Sequence, residues 1–279
     1  MSYLRWHLCV DNGSRASVRC RCVARQRLLE DRVTLITGSG SGQGRAAAVL
    51  FAEQGARVAV IDIDDAGASE TVRMVEAKGG EAIALHADVA TPRGCDEMIA
   101  ATFDRWGRLD VLYNNAAVQM SGRLVDCTEE DWDLTIATNL TAILRACRTA
   151  IPRMLEGGYG SIVNTASTLG LIGSEGYAAY GAAKAGLVAL TKQIAAEYGP
   201  VVRANVIAPG SIDTPRFRKV LDKTPNAEQF LDMLMRNMPL KRLGTADDIA
   251  RTALYLASPE SAYTSGAVIP VDGGLAAMR

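Results

Sequence analysis

Short β-branched runs alternate with longer stretches of helical period along most of this chain. The strand-like runs are Val33–Thr37, Arg57–Asp62, Ala82–Ala87, Asp110–Asn114, Ser161–Ala166, Arg203–Ala208 and Ala267–Val271. Between them the pattern predicts helices over Gly42–Gln54, Ala66–Lys78, Pro92–Trp106, Thr128–Leu155 and Ser174–Tyr198. Strands and helices in this rhythm imply right-handed crossovers and a parallel sheet covered on both faces. No Pro-, Gly- or Ser-rich linker and no repeat interrupts it, so one doubly wound α/β domain is expected over residues 28–279. The only long connection outside the rhythm is Ser211–Leu240, which carries Phe217, Val220, Leu221, Phe230, Leu231, Met233, Leu234, Met235 and Met238. A segment of that length in a compact domain is usually functional, and a short helical lid over a pocket is predicted at about 211–240.

Composition narrows the function classes. The 279 residues are 48% hydrophobic and 22% charged with a net charge of −1, which suits one domain with a large core. Near-neutral charge gives no electrostatic case for nucleic acid or an acidic membrane, and no apolar stretch approaches the ~20 residues of a spanning helix. The six cysteines, Cys9, Cys20, Cys22, Cys95, Cys127 and Cys147, are dispersed and lack zinc-site spacing. Reduced thiols in a cytoplasmic protein with no metal are the expectation. His7 and His86 are the only histidines, poorly placed for a Ser-His-Asp hydrolase or a His/Cys zinc enzyme. Residues 1–27 hold six arginines against one acid, Asp11, without an apolar period. A transit peptide has that composition, but a disordered extension is the preferred expectation, and it is set apart from the fold.

The chemistry begins at Thr37-Gly38-Ser39-Gly40-Ser41-Gly42-Gln43-Gly44, which follows the first strand and opens a helix. Glycines there let backbone N–H groups approach a pyrophosphate at the positive helix end. Asp62 ends the second strand 20 residues beyond Gly42, where a carboxylate can accept hydrogen bonds from the adenosine ribose hydroxyls. It would repel a 2′-phosphate, and neither Ser39 nor Ser41 offers a cation to hold one, so NAD is favoured over NADP. The competing reading makes Asp62 a helix cap, a role for which Asp64 and Asp65 also stand ready. Asp88 and the run Asn114-Asn115-Ala116-Ala117 end further strands on the ligand-binding edge of such a sheet.

Tyr180 and Lys184 lie four apart, on one face of a helix, with Ser167 thirteen residues before the tyrosine. A phenol with an ammonium beside it can move a proton near neutral pH without a metal.

Taken in order, these residues resemble the short-chain dehydrogenase/reductase family, in its single-domain Rossmann-fold form, from Leu28 to Arg279. The resemblance rests on Thr37-Gly-x-x-x-Gly-x-Gly44, Asn114-Asn115-Ala116, Asn139 in Thr-Asn-Leu-Thr, Ser167, Tyr180-x-x-x-Lys184, Pro209-Gly210-Ser211-Ile212-Asp213-Thr214-Pro215 and Pro270-Val271-Asp272-Gly273-Gly274. It implies that Tyr180 is the general acid/base, that Ser167 hydrogen-bonds the reacting oxygen, that Lys184 lowers the tyrosine pKa and binds the nicotinamide ribose, and that Asn139 holds a water. For the cofactor it implies Gly38, Ser41, Gly42, Gln43 and Gly44 at the pyrophosphate and Asp62 and Ile63 at the adenosine ribose. Asp88 and Val89 would meet the adenine, Asn115, Ala116 and Ala117 the ribose side, and Pro209, Gly210, Ile212 and Thr214 the nicotinamide. A homotetramer is also implied, and the small residues of helix Ser174–Tyr198 permit close helix contact.

The sequence departs from the family pattern at Ala117, where a glycine is usual, and in Pro200–Asn205, about two residues shorter than usual. The expected reaction is hydride transfer between a secondary alcohol or ketone and NAD, with Gln119, Thr168, Leu169, Glu175 and Tyr177 as candidate substrate contacts. The apolar lid favours a partly hydrophobic substrate. Two rivals stand beside it: a 3-oxoacyl-thioester reductase, and, from another class, a catalytically silent nucleotide-sensing protein. Tyr177 precedes Lys184 at the spacing of enoyl-thioester reductases, but the serine spacing selects Tyr180.

Overall fold

The computed structural model describes residues 27–278, so the expectation for the leader lies outside the described residues except at Arg27. The chain runs β1 (Val33–Thr37), α1 (Gly42–Glu53), β2 (Arg57–Asp62), α2 (Asp65–Glu76), β3 (Glu81–His86), α3 (Pro92–Trp106), β4 (Val111–Asn114), α4 (Glu129–Ile136), α5 (Ala142–Glu156) and β5 (Gly160–Thr165). It continues through α6 (Ala178–Tyr198), β6 (Val202–Pro209), β7 (Ile212–Asp213), α7 (Pro215–Leu221), α8 (Ala227–Arg236), β8 (Gly244–Thr245), α9 (Ala246–Ala257) and β9 (Val268–Val271).

Seven strands form one parallel sheet in the order β3-β2-β1-β4-β5-β6-β9. Every residue of β1, β4, β5 and β6 is buried, as the near-continuous apolar runs require when helices cover both faces. One face packs Phe51 of α1 and Ile249 and Leu256 of α9 against Val60, Tyr113 and Ile207. The other packs Met98 and Ile99 of α3, Ile143 and Met154 of α5 and Leu187 of α6 against Leu35, Leu112 and Ile162. Strand order reverses between β1 and β4, and that switch point opens the crevice in which ligands of doubly wound sheets bind.

Local signals set most boundaries. Thr91 caps α3 by accepting from the Gly94 N–H, Pro92 occupies its first turn, and left-handed Gly107 ends it. The predicted helix Thr128–Leu155 is divided: α4 and α5 are joined by a π-turn, Ala137–Thr141, that contains Asn139. α6 starts at Ala178 rather than Ser174, because Gly176 is left-handed with φ 84° and Tyr177 pairs in a bridge with Gly122. α9 is absent from the sequence-based pattern, although a capping box of Thr245 and Asp248 starts it. The segment expected to form a lid holds two helices, α7 and α8, and no residue of either is fully buried.

Candidate active site

At the carboxyl end of β1 the chain turns through the glycine loop into α1. Gly44 lies so close to the preceding turn that a Cβ there would stand 2.2 Å from the Gly38 carbonyl oxygen and 2.7 Å from Asn115 Nδ2. Gly42 has φ +55°, which L side chains rarely adopt. Ser41 is the N-cap of α1 but makes no side-chain cap bond, so the first-turn N–H groups stay available to an anion. Gln43 lies in that first turn. Asn115 donates through Nδ2 to the Thr37 and Gly38 carbonyls, 3.1 Å each, and Thr37 Oγ1 accepts from the backbone N–H groups of Asn115 and Ala116, 3.0 Å each. The amide of Asn115, expected at the ribose, is therefore spent bracing the loop across the switch point.

Asp62 faces the loop. Its Oδ2 accepts from the Gly40 N–H at 2.8 Å and its Oδ1 from the Asp64 N–H at 3.0 Å. Asp64 is the residue that caps α2, accepting from Gly67, so the competing capping role falls to it and not to Asp62. The nearby Arg45 guanidinium is committed to the Gly40 and Gly67 carbonyls and the Thr71 hydroxyl. Ile63, 66% exposed, follows on the rim. Across the groove Val89 is buried and Asp88 is exposed, with Oδ1 accepting from the Ala90 N–H. An unpaired helix start, a closely approached backbone and an anchored carboxylate together fit a dinucleotide.

The residues expected to handle the proton lie beyond the end of β5. Ser167 follows that strand, and its Oγ accepts from the Leu169 N–H at 3.1 Å. Tyr180 and Lys184 descend on α6, with Lys184 Nζ 5.6 Å from the Tyr180 ring centre and donating to the Thr165 carbonyl at 2.7 Å. A buried chain holds α6 against the sheet beneath them: Asn114 Nδ2 donates to Asn164 Oδ1 at 2.8 Å, and Asn164 Nδ2 to Thr191 Oγ1 at 2.9 Å. Burial lowers the Lys184 pKa from 10.5 to about 7, with the charge of Arg216 adding to the fall. Burial raises the Tyr180 pKa, and the positive charge of Arg216 and the polar groups of Ser167 and Arg216 pull against it. Arg216 is thus a second cation acting on the phenol, beside Lys184 with its Nζ 5.6 Å from the ring centre. Tyr177 is half-buried and meets Tyr180 edge to face, centroids 6.5 Å apart, whereas Tyr180 is the one placed with Ser167.

Other expected positions take different work. The Asn139 side chain both accepts from the Val118 N–H at 3.1 Å and donates to its carbonyl at 2.7 Å, fixing the loop after β4. Thr168 does not face a substrate: it is 1% exposed and donates to the Pro209 carbonyl at 2.9 Å. Gly210 donates its N–H to Val271, Ile212 is buried, and Thr214 caps α7. Glu175 stands on the exposed rim, 3.5 Å from Arg123, while Leu169 is half-buried. The site residue that sequence reasoning missed is Arg216, in the first turn of α7, which donates to the Ala117 carbonyl and to Gln119 Oε1, each at 2.9 Å. Its position directly after Thr214-Pro215 was the available signal. A cavity of about 530 Å³ lined by Ser211, Leu240, Arg242, Asp248 and Asp272 contains none of Ser167, Tyr180 or Lys184. Among the described residues no cluster of His, Cys, Asp or Glu is placed to hold a metal.

Fold and site together define an oxidoreductase of the doubly wound, dinucleotide-binding class. A family model described as enoyl-(acyl carrier protein) reductase matches residues 38–276. Over 247 residues the chain is 39% identical to (2S)-[(R)-hydroxy(phenyl)methyl]succinyl-CoA dehydrogenase subunit BbsD of Thauera aromatica, covering 88% of this chain and 97% of that one. It is 37% identical over 248 residues to the 3-oxoacyl-[acyl-carrier-protein] reductase of Thermotoga maritima, covering 88% and 98%. A solved Agrobacterium tumefaciens structure with bound NADP superposes with a TM-score of 0.82 at 32% identity, covering 91% of this chain and 100% of that one. The chain belongs to the short-chain dehydrogenase/reductase family, whose members bind a nicotinamide cofactor.

Proposed function

We propose that the protein is an NAD-dependent oxidoreductase interconverting a secondary alcohol and its ketone, with Tyr180 as general acid/base. The observation that carries the reading is the gathering of Ser167, Tyr180 and Lys184 at one end of the sheet whose other half presents Asp62 to the glycine loop. A nicotinamide cofactor in the groove would supply the hydride acceptor or donor. In oxidation the Tyr180 phenolate would take the hydroxyl proton, the freed O–H pair would form the C=O bond and the carbinol hydrogen would depart with its C–H pair as hydride; in reduction the Tyr180 phenol would give its proton to the carbonyl oxygen. Ser167 orients the same oxygen, and Lys184, near its titration point at neutral pH, passes charge or proton behind the tyrosine.

NAD over NADP is supported by Asp62, a carboxylate beside the glycine loop that forms no ion pair among the described residues and would repel a 2′-phosphate. A 3-oxoacyl-thioester substrate would use the same residues and is favoured by the Thermotoga relative. Self-assembly as a homotetramer is supported by the exposed small-residue stripe Ala182, Ala185 and Ala189 of α6 and by exposed Leu134 and Leu144. A cytoplasmic setting is supported by Cys95, Cys127 and Cys147, which form no disulfide with one another among the described residues. Among the described residues no helix is long and apolar enough to cross a membrane.

The test follows NADH absorbance over a panel of alcohols, ketones and 3-oxoacyl thioesters, with NADPH in parallel and light scattering for the assembly. Tyr180→Phe is expected to lose about 100- to 10,000-fold in kcat while still binding dinucleotide. An active Tyr180→Phe enzyme refutes the mechanism, and a preference for NADP refutes the role of Asp62.

A further inference from the structure

We propose that Arg216 is the anion-recognition group of the substrate site, and that the substrate carries a carboxylate close to its carbinol carbon. The inference rests on the oxidoreductase reading and adds the substrate class.

Arg216 enters from the lid, at the start of α7, and spans to the loop after β4, where its Nη1 and Nη2 atoms meet the Ala117 carbonyl and Gln119 Oε1 at 2.9 Å each. The loop it reaches follows β4 on the ligand-binding edge of the sheet, and its charge acts to lower the pKa of both Tyr180 and Lys184. Both hydrogen-bond partners of Arg216 are neutral, a backbone carbonyl and a side-chain amide oxygen. Among the described residues no acid forms an ion pair with Arg216, although Arg218, two residues on, is fully occupied by Asp213 at 2.7 and 2.8 Å. Arg216 is exposed beside the loop after β4, so an anion can reach a guanidinium that no acid neutralises among the described residues. Its two engaged N–H edges rest on separate neutral acceptors that the two oxygens of one carboxylate can replace as a fork. With a single arginine present, a singly charged carboxylate fits better than a dianionic phosphate. The half-buried Leu169, Tyr177 and Phe217 are left for an apolar body, so a hydroxy or oxo acid with a hydrophobic substituent is the substrate class.

The experiment compares 3-hydroxy-3-phenylpropanoate with its methyl ester, and benzoate with benzamide as non-reacting probes titrated into the enzyme–NADH complex by fluorescence. Wild type is expected to favour the acid over the ester in kcat/KM by about 30-fold or more, mostly through KM, and to bind benzoate over benzamide. Arg216→Gln is expected to collapse both preferences, and Arg216→Lys to restore only part, since it keeps charge without the fork. Turnover of neutral alcohols with no acid preference overturns the inference and leaves the oxidoreductase reading standing. No turnover with any substrate overturns that reading, and the titration then decides the anion site alone: benzoate binding lost in Arg216→Gln supports it, and benzoate failing to bind wild type overturns it.

Discussion

Lys184→Met removes a charge that the fold has taken out of water, and its effect on stability should depend strongly on pH. Lys184 is 1% exposed, donates to the Thr165 carbonyl, and its pKa falls from 10.5 to about 7. Between those values the unfolded chain holds a proton that the folded chain does not, so stability rises with pH across that window. As pH falls from 10.5 through 7 the folded lysine is forced to charge, and below 7 the penalty is fully present. At about 1.4 kcal/mol per pH unit, the fall corresponds to at most about 5 kcal/mol. Methionine has no such titration; it leaves the Thr165 carbonyl without its donor, a cost of about 1–3 kcal/mol that does not vary with pH. Urea unfolding from about pH 6 to about pH 10 should therefore show the variant's stability relative to wild type falling by about 4 kcal/mol as pH rises, while its turnover is lost throughout. A difference between the two proteins that stays flat across that range would show that Lys184 titrates as an ordinary lysine, and the burial argument would fail. Arg216 is the second cause of the fall, so Arg216→Gln should move the same transition upward in pH.

Two further substitutions probe the cofactor groove. Asp62→Ala removes the carboxylate that receives the Gly40 N–H, and isothermal titration should show NAD affinity falling about 10- to 100-fold while NADP affinity rises; an unchanged NAD/NADP ratio would assign Asp62 to the loop alone. Gly44→Ala places a methyl 2.2 Å from the Gly38 carbonyl oxygen, so the loop must shift. Dinucleotide affinity should drop at least about tenfold, with about 1–3 kcal/mol of stability lost in urea unfolding, and normal binding would show that the loop tolerates displacement.

The order of the elements, the doubly wound sheet and the glycine loop were legible in the chain because their causes are local. Strands buried on both faces read as unbroken apolar runs, so the limits of β1 and β2 match the pattern to the residue, as do those of α3, where Thr91-Pro92 and Gly107 punctuate the helix. α9 was also locally marked, by Thr245-x-x-Asp248 and the apolar spacing Ile249, Ala253, Leu256, yet it lay beyond a lid whose irregularity masked the return of the helical period. Other features have no local cause. The π-turn at Asn139 forms where the side chain must reach Val118, and the start of α6 is set by the bridge from Tyr177 to Gly122.

The sequence by itself determined which groups could do the chemistry, since Ser167, Tyr180, Lys184 and Asp62 stand at spacings that the strand and helix periods translate into one edge of a sheet. Only the tertiary structure decided what each group is free to do. It spends Asn115 and Thr168 on holding strand ends together, strips Lys184 of solvent, and brings Arg216 of α7, 36 residues beyond Tyr180, to act on the phenol. The physical reason is that hydrogen-bond commitment, desolvation and the approach of a distant charge depend on neighbours in space, which spacing along a chain does not encode.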